Sequence, residues 1–178
     1  VTLVIVTIGL LTGVTFLTFP ADDGGDDPLT KYSTDRDLLE LGLSAPDDWE
    51  FEMSDDTTLL LSDLQGQVVL VDLMATWCGT CLTQNNYLET VSENLADTTI
   101  VISLTVDPGE STDLMANYKS QKGLNWAHGI DTDSSFKNYF NVVSVPTMVL
   151  IDSDGVFRYL HIGLWSTATI TDTIASIL

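Results

Sequence analysis

Apolar positions fall into three kinds of run along this chain. The first is continuous: VTLVIVTIGLLTGVTFLTF, residues 1–19, carries no charged side chain. A helix of about 20 apolar residues spans a bilayer core, whereas the apolar part of a secretory leader is shorter, about 7–15 residues. The run predicts a transmembrane anchor over residues 1–19 rather than a cleaved leader. Residues 20–44 open with PADDGGDDP, where Gly, Pro and like charges oppose burial. They predict a flexible acidic tether. Within it TDRDLLELGL reads as a short helix capped by Thr34 or Asp35, with Leu38, Leu39 and Leu41 as weak contacts.

The remaining runs predict one domain over residues 45–178. WEFEM alternates apolar and acidic positions, as a half-buried strand does. SDDTTLLLSDLQGQ reads as a turn, a short strand and a second turn. VVLVDLM, 68–74, and IVISLTV, 100–106, are nearly continuous and predict strands covered on both faces. From residue 79 to about 96 the period changes: Cys81, Gln84, Leu88, Val91 and Leu95 share one helical face. A second helix follows DPGEST and carries Leu114, Met115 and Tyr118. A short third starts at Asp133 with Phe136, Tyr139 and Phe140. TMVLI, the turn DSDG and VFRYLHI form a hairpin, and a last helix from Ser166 aligns Ile170, Ile174 and Ile177. Strands alternating with helices imply an α/β fold, a mixed central sheet flanked by helices on both faces.

Charge narrows the partners. The chain has 26 acidic and 6 basic side chains, a formal net charge of -20. Phosphate binding requires basic patches, so nucleic acid is not an expected partner. The balance bears on solubility and association, not on fold.

The candidate chemistry lies in DLMATWCGTC, residues 72–81, which holds both cysteines of the chain. Cys78 and Cys81 follow a buried strand and open a helix. Unpaired N–H groups at a helix start stabilise a thiolate, and thiols placed there titrate at about 3.5–7.5 rather than near 8.5. Cys78 is the expected nucleophile, and Cys81, one turn in, the residue that resolves the mixed disulfide. Two other uses of the pair stand beside this one. A structural crosslink closing so small a ring adds little stability. Zinc takes about four ligands, and only His128 and His161 accompany the cysteines, neither at ligand spacing. No metal site and no cofactor beyond a redox-active Cys78–Cys81 disulfide is expected. Asp72 is an acid inside an apolar strand, where burial raises the pKa of a carboxyl.

VVLVDLMATWCGTC resembles the active-site strand and turn of the thioredoxin superfamily. The longer stretch APDDWEFEMSDDTTLLLSDLQGQVVLVDLMATWCGTC resembles the entrance of the membrane-anchored TlpA/ResA-like thiol–disulfide oxidoreductases. NVVSVPTMVLIDSDGVFRYLHIG resembles a second motif of that family. The resemblance implies a thioredoxin fold with an N-terminal β-hairpin extension, in which Asp72 would be buried beneath the pair, suited to take the Cys81 proton. It implies a cis bond between Val145 and Pro146, with Val145, Pro146 and Thr147 presenting a backbone edge to a substrate strand, and Trp77 shielding one side of the pair. It implies an extracytoplasmic domain on a single-pass anchor in the cytoplasmic membrane, acting as a monomer on protein dithiol or disulfide partners. Apocytochromes c are typical clients in the family, with reductant supplied through the membrane.

The chain departs from the family pattern at redox-tuning positions. Gly79-Thr80 replaces Gly-Pro between the cysteines, Gln84 stands where Glu is frequent, and Met74 and Asn86 replace Trp and Pro. SLTVDPGESTDLMANY is similar to a segment of the Sco-type copper chaperones. Sulfur favours Cu(I), so a copper-handling protein using the same cysteines is the alternative expectation.

Overall fold

The structure is a computed structural model that describes residues 39–178; side chains are described from residue 42. The expected anchor, and the tether up to residue 38, lie outside the described residues.

VVLVDLM forms β4 (Val68–Met74), and every one of its residues is buried. It is the centre of a six-stranded sheet in the order β1-β8-β7-β4-β5-β6. β5 (Thr99–Thr105) and β6 (Ala127–Ile130) run parallel to β4. β7 (Thr147–Ile151) and β8 (Val156–Ile162) form the expected hairpin and run antiparallel on the other side. β1 (Leu39–Ser44) closes that edge, antiparallel to β8. The second, two-stranded sheet pairs β2 (Glu50–Glu52) with β3 (Thr58–Leu60) and is the N-terminal hairpin extension.

Alternation along β4 divides the core between two faces. Val69, Val71 and Leu73 join Phe51, Phe136, Phe140 and Phe157 beneath the hairpin and α3 (Ser135–Tyr139). Val68 and Leu70 pack with Leu88 and Val91 of α1 (Gly79–Asn94) and with Ile170 and Ile174 of α4 (Thr167–Ala175). Met74 packs with Cys78, Cys81 and two residues of α2 (Thr112–Lys122), Met115 and Tyr118. Asp72 has the same strand parity as Leu70 and Met74, so it faces the first turns of α1.

Four expectations need correction. Residues 39–44 are a strand of the main sheet, not the end of a tether or a short helix. Leu39, Leu41 and Leu43 alternate with Glu40, Gly42 and Ser44, a period of two that fits a strand better than a helix. β6 was not expected, because AHGI is short and its Gly129 interrupts the apolar pattern. That glycine is required by packing. A Cβ there would sit 2.6 Å from the Glu52 carbonyl oxygen, where the hairpin crosses β6. The third helix is preceded by a 3-10 turn at Thr132–Ser134, in which Asp133 and Ser134 adopt positive φ. Finally, α2 buries Met115 and Tyr118, whereas Leu114 lies off that face and is 41% exposed.

Candidate active site

Cys78 and Cys81 form a disulfide at the C-terminal end of β4. The chain leaves the strand, turns at Thr76-Trp77 and enters α1 with Cys78 as its N-cap. The cap bond explains the spacing: Cys81 N–H donates to Cys78 Sγ at 3.1 Å, the bond that an N-cap side chain makes three residues into a helix. The helix start therefore places a donor on the sulfur expected to carry negative charge when reduced. Thr80 Oγ1 stands 3.3 Å from the same sulfur. A Cβ at Gly79 would meet no atom of the described residues within 4 Å, so the helix start beside Cys78 is uncrowded at that position.

The second motif closes the far side. The Val145–Pro146 peptide bond is cis. The Val145 carbonyl oxygen lies 3.7 Å from Cys78 Sγ. Thr147 is buried, and its hydroxyl donates to the Ser144 carbonyl at 2.8 Å, tightening the turn before β7. Trp77, Cys78, Gly79, Thr80, Val143, Ser144 and Val145 line a groove of about 560 Å³. Trp77 is 70% exposed and Val143 83%, so two large apolar side chains stand at its rim. Both cysteines are buried, but Cys78 is 5% exposed and lines this groove whereas Cys81 is fully enclosed, an asymmetry that suits one for attack and the other for resolution.

Asp72 is fully buried on the sheet face below α1. Burial pushes its carboxyl up to about 7, against the bond it receives from Ser103. Gln84 is also fully buried, and both ends of its amide are engaged. Nε2 donates to the Trp165 carbonyl at 3.1 Å, and Oε1 accepts from Trp165 N–H at 2.8 Å. This pairing ties α1 to the segment leading into α4, a structural use of a position expected to tune redox chemistry.

The segment after β5 holds residues whose part in the site sequence reasoning missed. Glu110 accepts from Thr76 N–H at 2.9 Å and from Thr76 Oγ1 at 2.5 Å. Asp107 accepts from Trp77 Nε1 at 2.7 Å, and that bond holds its carboxyl below the usual range. Lys137, from α3, lines the groove and donates to the Val106 carbonyl at 3.1 Å. The available signal was positional. β5 lies parallel beside β4, so the acids of VDPGE leave the sheet beside the cysteine turn. This is the segment that resembles the copper chaperones; here it fastens the turn. Among the described residues no group of three or more His, Cys, Asp or Glu is placed to hold a metal. His128 is buried, with Nδ1 3.0 Å from the Trp126 carbonyl, and burial lowers its pKa to about 4. His161 stacks on Trp165 at 5.1 Å.

A redoxin family model matches residues 40–174. The chain belongs to the redoxin family. Its relatives there include the thiol-disulfide oxidoreductase ResA of Bacillus subtilis, 26% identical over 137 residues, which is 77% of this chain and 75% of that protein. The thioredoxin-like protein YneN of the same organism is 27% identical over 133 residues, 74% of this chain and 77% of that one. Solved structures agree on the fold. A thiol:disulfide interchange protein of the thioredoxin family from Chlorobium tepidum superposes with a TM-score of 0.64 at 21% identity, covering 76% of this chain and 96% of that one. The exposed lipoprotein thioredoxin Etrx1 of Streptococcus pneumoniae gives 0.59 at 25% identity, covering 72% and 98%. This redoxin is thus ResA/TlpA-like, with a thioredoxin-like mixed sheet and a C-x-x-C disulfide between Cys78 and Cys81.

Proposed function

We propose that this redoxin exchanges its Cys78–Cys81 dithiol or disulfide with protein partners, acting as a reductase. One observation carries the reading: a disulfide caps a helix, with Cys78 lining a groove and Cys81 fully buried behind it. In the reducing direction, the Cys78 thiolate attacks a client disulfide and displaces one client thiolate, which takes a proton. Cys81 then gives up its proton and attacks Cys78, and the second client sulfur leaves as a thiolate that takes up a proton. Two electrons and two protons pass to the client, and the Cys78–Cys81 disulfide forms. Asp72 takes the Cys81 proton. Val145-Pro146-Thr147 supplies a backbone edge for an extended client segment, as edge strands do elsewhere, and Trp77 covers its flank.

The finer assignment follows the family resemblance and the apolar run at residues 1–19. The domain is a monomer tethered outside the cytoplasmic membrane. Its client class is a protein dithiol or disulfide such as that of an apocytochrome c. That compartment is oxidising, so a membrane electron donor must return the pair to the dithiol. Reduction of insulin disulfides, followed by turbidity, tests the activity. The wild type is expected to precipitate the insulin B chain, and Cys78→Ser is expected to be inactive. Cu(I) bound stoichiometrically, with no turnover, would favour the copper-handling alternative instead.

A further inference from the structure

One row of paired residues crosses the sheet beneath α1. His161 on β8 pairs with Met148 on β7, Met148 with Asp72 on β4, Asp72 with Ser103 on β5, and Ser103 with His128 on β6. Residues paired in register share a sheet face. Inside this row a hydrogen-bond chain runs in one direction. Trp126 Nε1 donates to Ser103 Oγ at 2.9 Å, and Ser103 Oγ donates to Asp72 Oδ2 at 2.9 Å. All three residues are buried.

The direction is fixed by chemistry. An indole N–H only donates, so Ser103 must accept from it, and a serine hydroxyl has one hydrogen to give. That hydrogen is committed to Asp72 Oδ2. An Oδ2 that faces this hydrogen is poorly placed to carry a proton of its own. Asp72 Oδ1 is buried with no hydrogen-bond partner among the described residues. A buried polar atom left unpaired costs free energy, so an orphaned acceptor on the face below the cysteines invites a function.

We propose that Ser103, oriented by Trp126, is the positioning residue of the proton step: it occupies Oδ2 of Asp72 and reserves Oδ1 for the proton released by Cys81. The proposal rests on the exchange reaction above. In it the Cys81 S–H bond breaks, its proton passes to Asp72 Oδ1, and the Cys81 sulfur forms the bond to Cys78 as the client thiolate leaves. The Ser103 hydroxyl stabilises the carboxylate form and so keeps Asp72 able to accept. The other titratable groups packed around this row are Cys78 and Cys81 from the turn and α1, Tyr118 from α2, and His128 and His161 within the row. Burial raises Tyr118 and lowers His128, so both stay neutral while Asp72 titrates.

The test is the ¹³C titration of the Asp72 carboxyl in the oxidised full chain, paired with the pH profile of the single-turnover resolving step. Loss of a hydrogen bond to a charged group is expected to raise the Asp72 midpoint by about one to two pH units in Ser103→Ala. The resolving step should shift by the same amount. Ser103→Thr, which keeps the hydroxyl, should restore the midpoint. Trp126→Phe, which keeps the ring and loses the donor, should shift it in the same direction by less. It carries the test if Ser103→Ala does not fold. In an Asp72→Asn background the Ser103→Ala shift should vanish from the kinetic profile. An unchanged midpoint in Ser103→Ala or in Trp126→Phe, or a kinetic shift that survives Asp72→Asn, overturns the proposal. The carboxyl titration needs no turnover, so it stands even if the exchange activity fails its own test.

Discussion

Trp77 and Asp107 are joined across the mouth of the groove, the indole Nε1 donating to Asp107 Oδ2 at 2.7 Å. Three positions on, Glu110 holds Thr76 by its N–H and hydroxyl. Two acids from one loop thus fix the turn that delivers Cys78 to α1. All three bonds pair a carboxylate acceptor with a neutral donor, the stronger kind.

This fastening is expected to act on client binding more than on sulfur chemistry. Asp107→Ala frees an indole that is largely exposed, and KM for a protein disulfide should rise about three- to tenfold. The rate of Cys78 alkylation by a small reagent should stay within about twofold. Glu110→Ala also loosens the backbone at Thr76, so there kcat should fall as well. Steady-state kinetics on insulin, beside iodoacetamide trapping, separates the two effects.

Asp72 gives stability a pH dependence of unusual sign for a carboxyl group. Its pKa is pushed from 3.8 up to about 7 by burial. Between these values the unfolded chain releases the proton and the folded chain keeps it. The folded state is therefore best placed, for this group, below about pH 4, and it loses stability as pH rises through about 7. Asp72→Asn removes the dependence. Urea unfolding at about pH 8.5 should show the variant more stable by roughly 4 kcal/mol at most, with a much smaller gap near pH 5. Equal gaps at both values would mean that the carboxyl is not ionising in place.

Gln84 makes the opposite kind of demand. Its amide both donates to and accepts from the Trp165 backbone. Gln84→Glu keeps the acceptor, but an ionised carboxylate cannot donate to the Trp165 carbonyl. The new acid is expected to be held protonated, with a pKa above the ordinary Glu value. The variant should be close to wild type in stability near pH 4 and weaker by about 1–3 kcal/mol at pH 8, read by thermal unfolding.

The elements carrying the site were legible because their signals are local. VVLVDLM is apolar at every position but one, and that exception is Asp72. The C-x-x-C spacing matches the N-cap bond from Cys81 N–H to Cys78 Sγ. Other features depend on what the sheet places side by side. Glu110 meets Thr76 across 34 positions, and Ser103 meets Asp72 across 31. No period in the sequence reports such pairs; they follow from β5 lying in register beside β4. β1 was a different failure. Its alternation was present, but a leucine-rich stretch, three of the six residues of β1 with Leu38 before them, also suits a helix face, and only the free edge of β8 decides between them.

In the proposed exchange Cys78 attacks the client and Cys81 resolves the mixed disulfide. The most direct test of these roles is intact mass spectrometry of reduced Cys81→Ser mixed with excess oxidised protein client, followed by peptide mapping. The account predicts a stable one-to-one mixed disulfide joined through Cys78, formed at close to the wild-type rate of attack and released by dithiothreitol. Absence of an adduct with Cys81→Ser, or a client trapped through Cys81 in Cys78→Ser at a comparable rate, would contradict it.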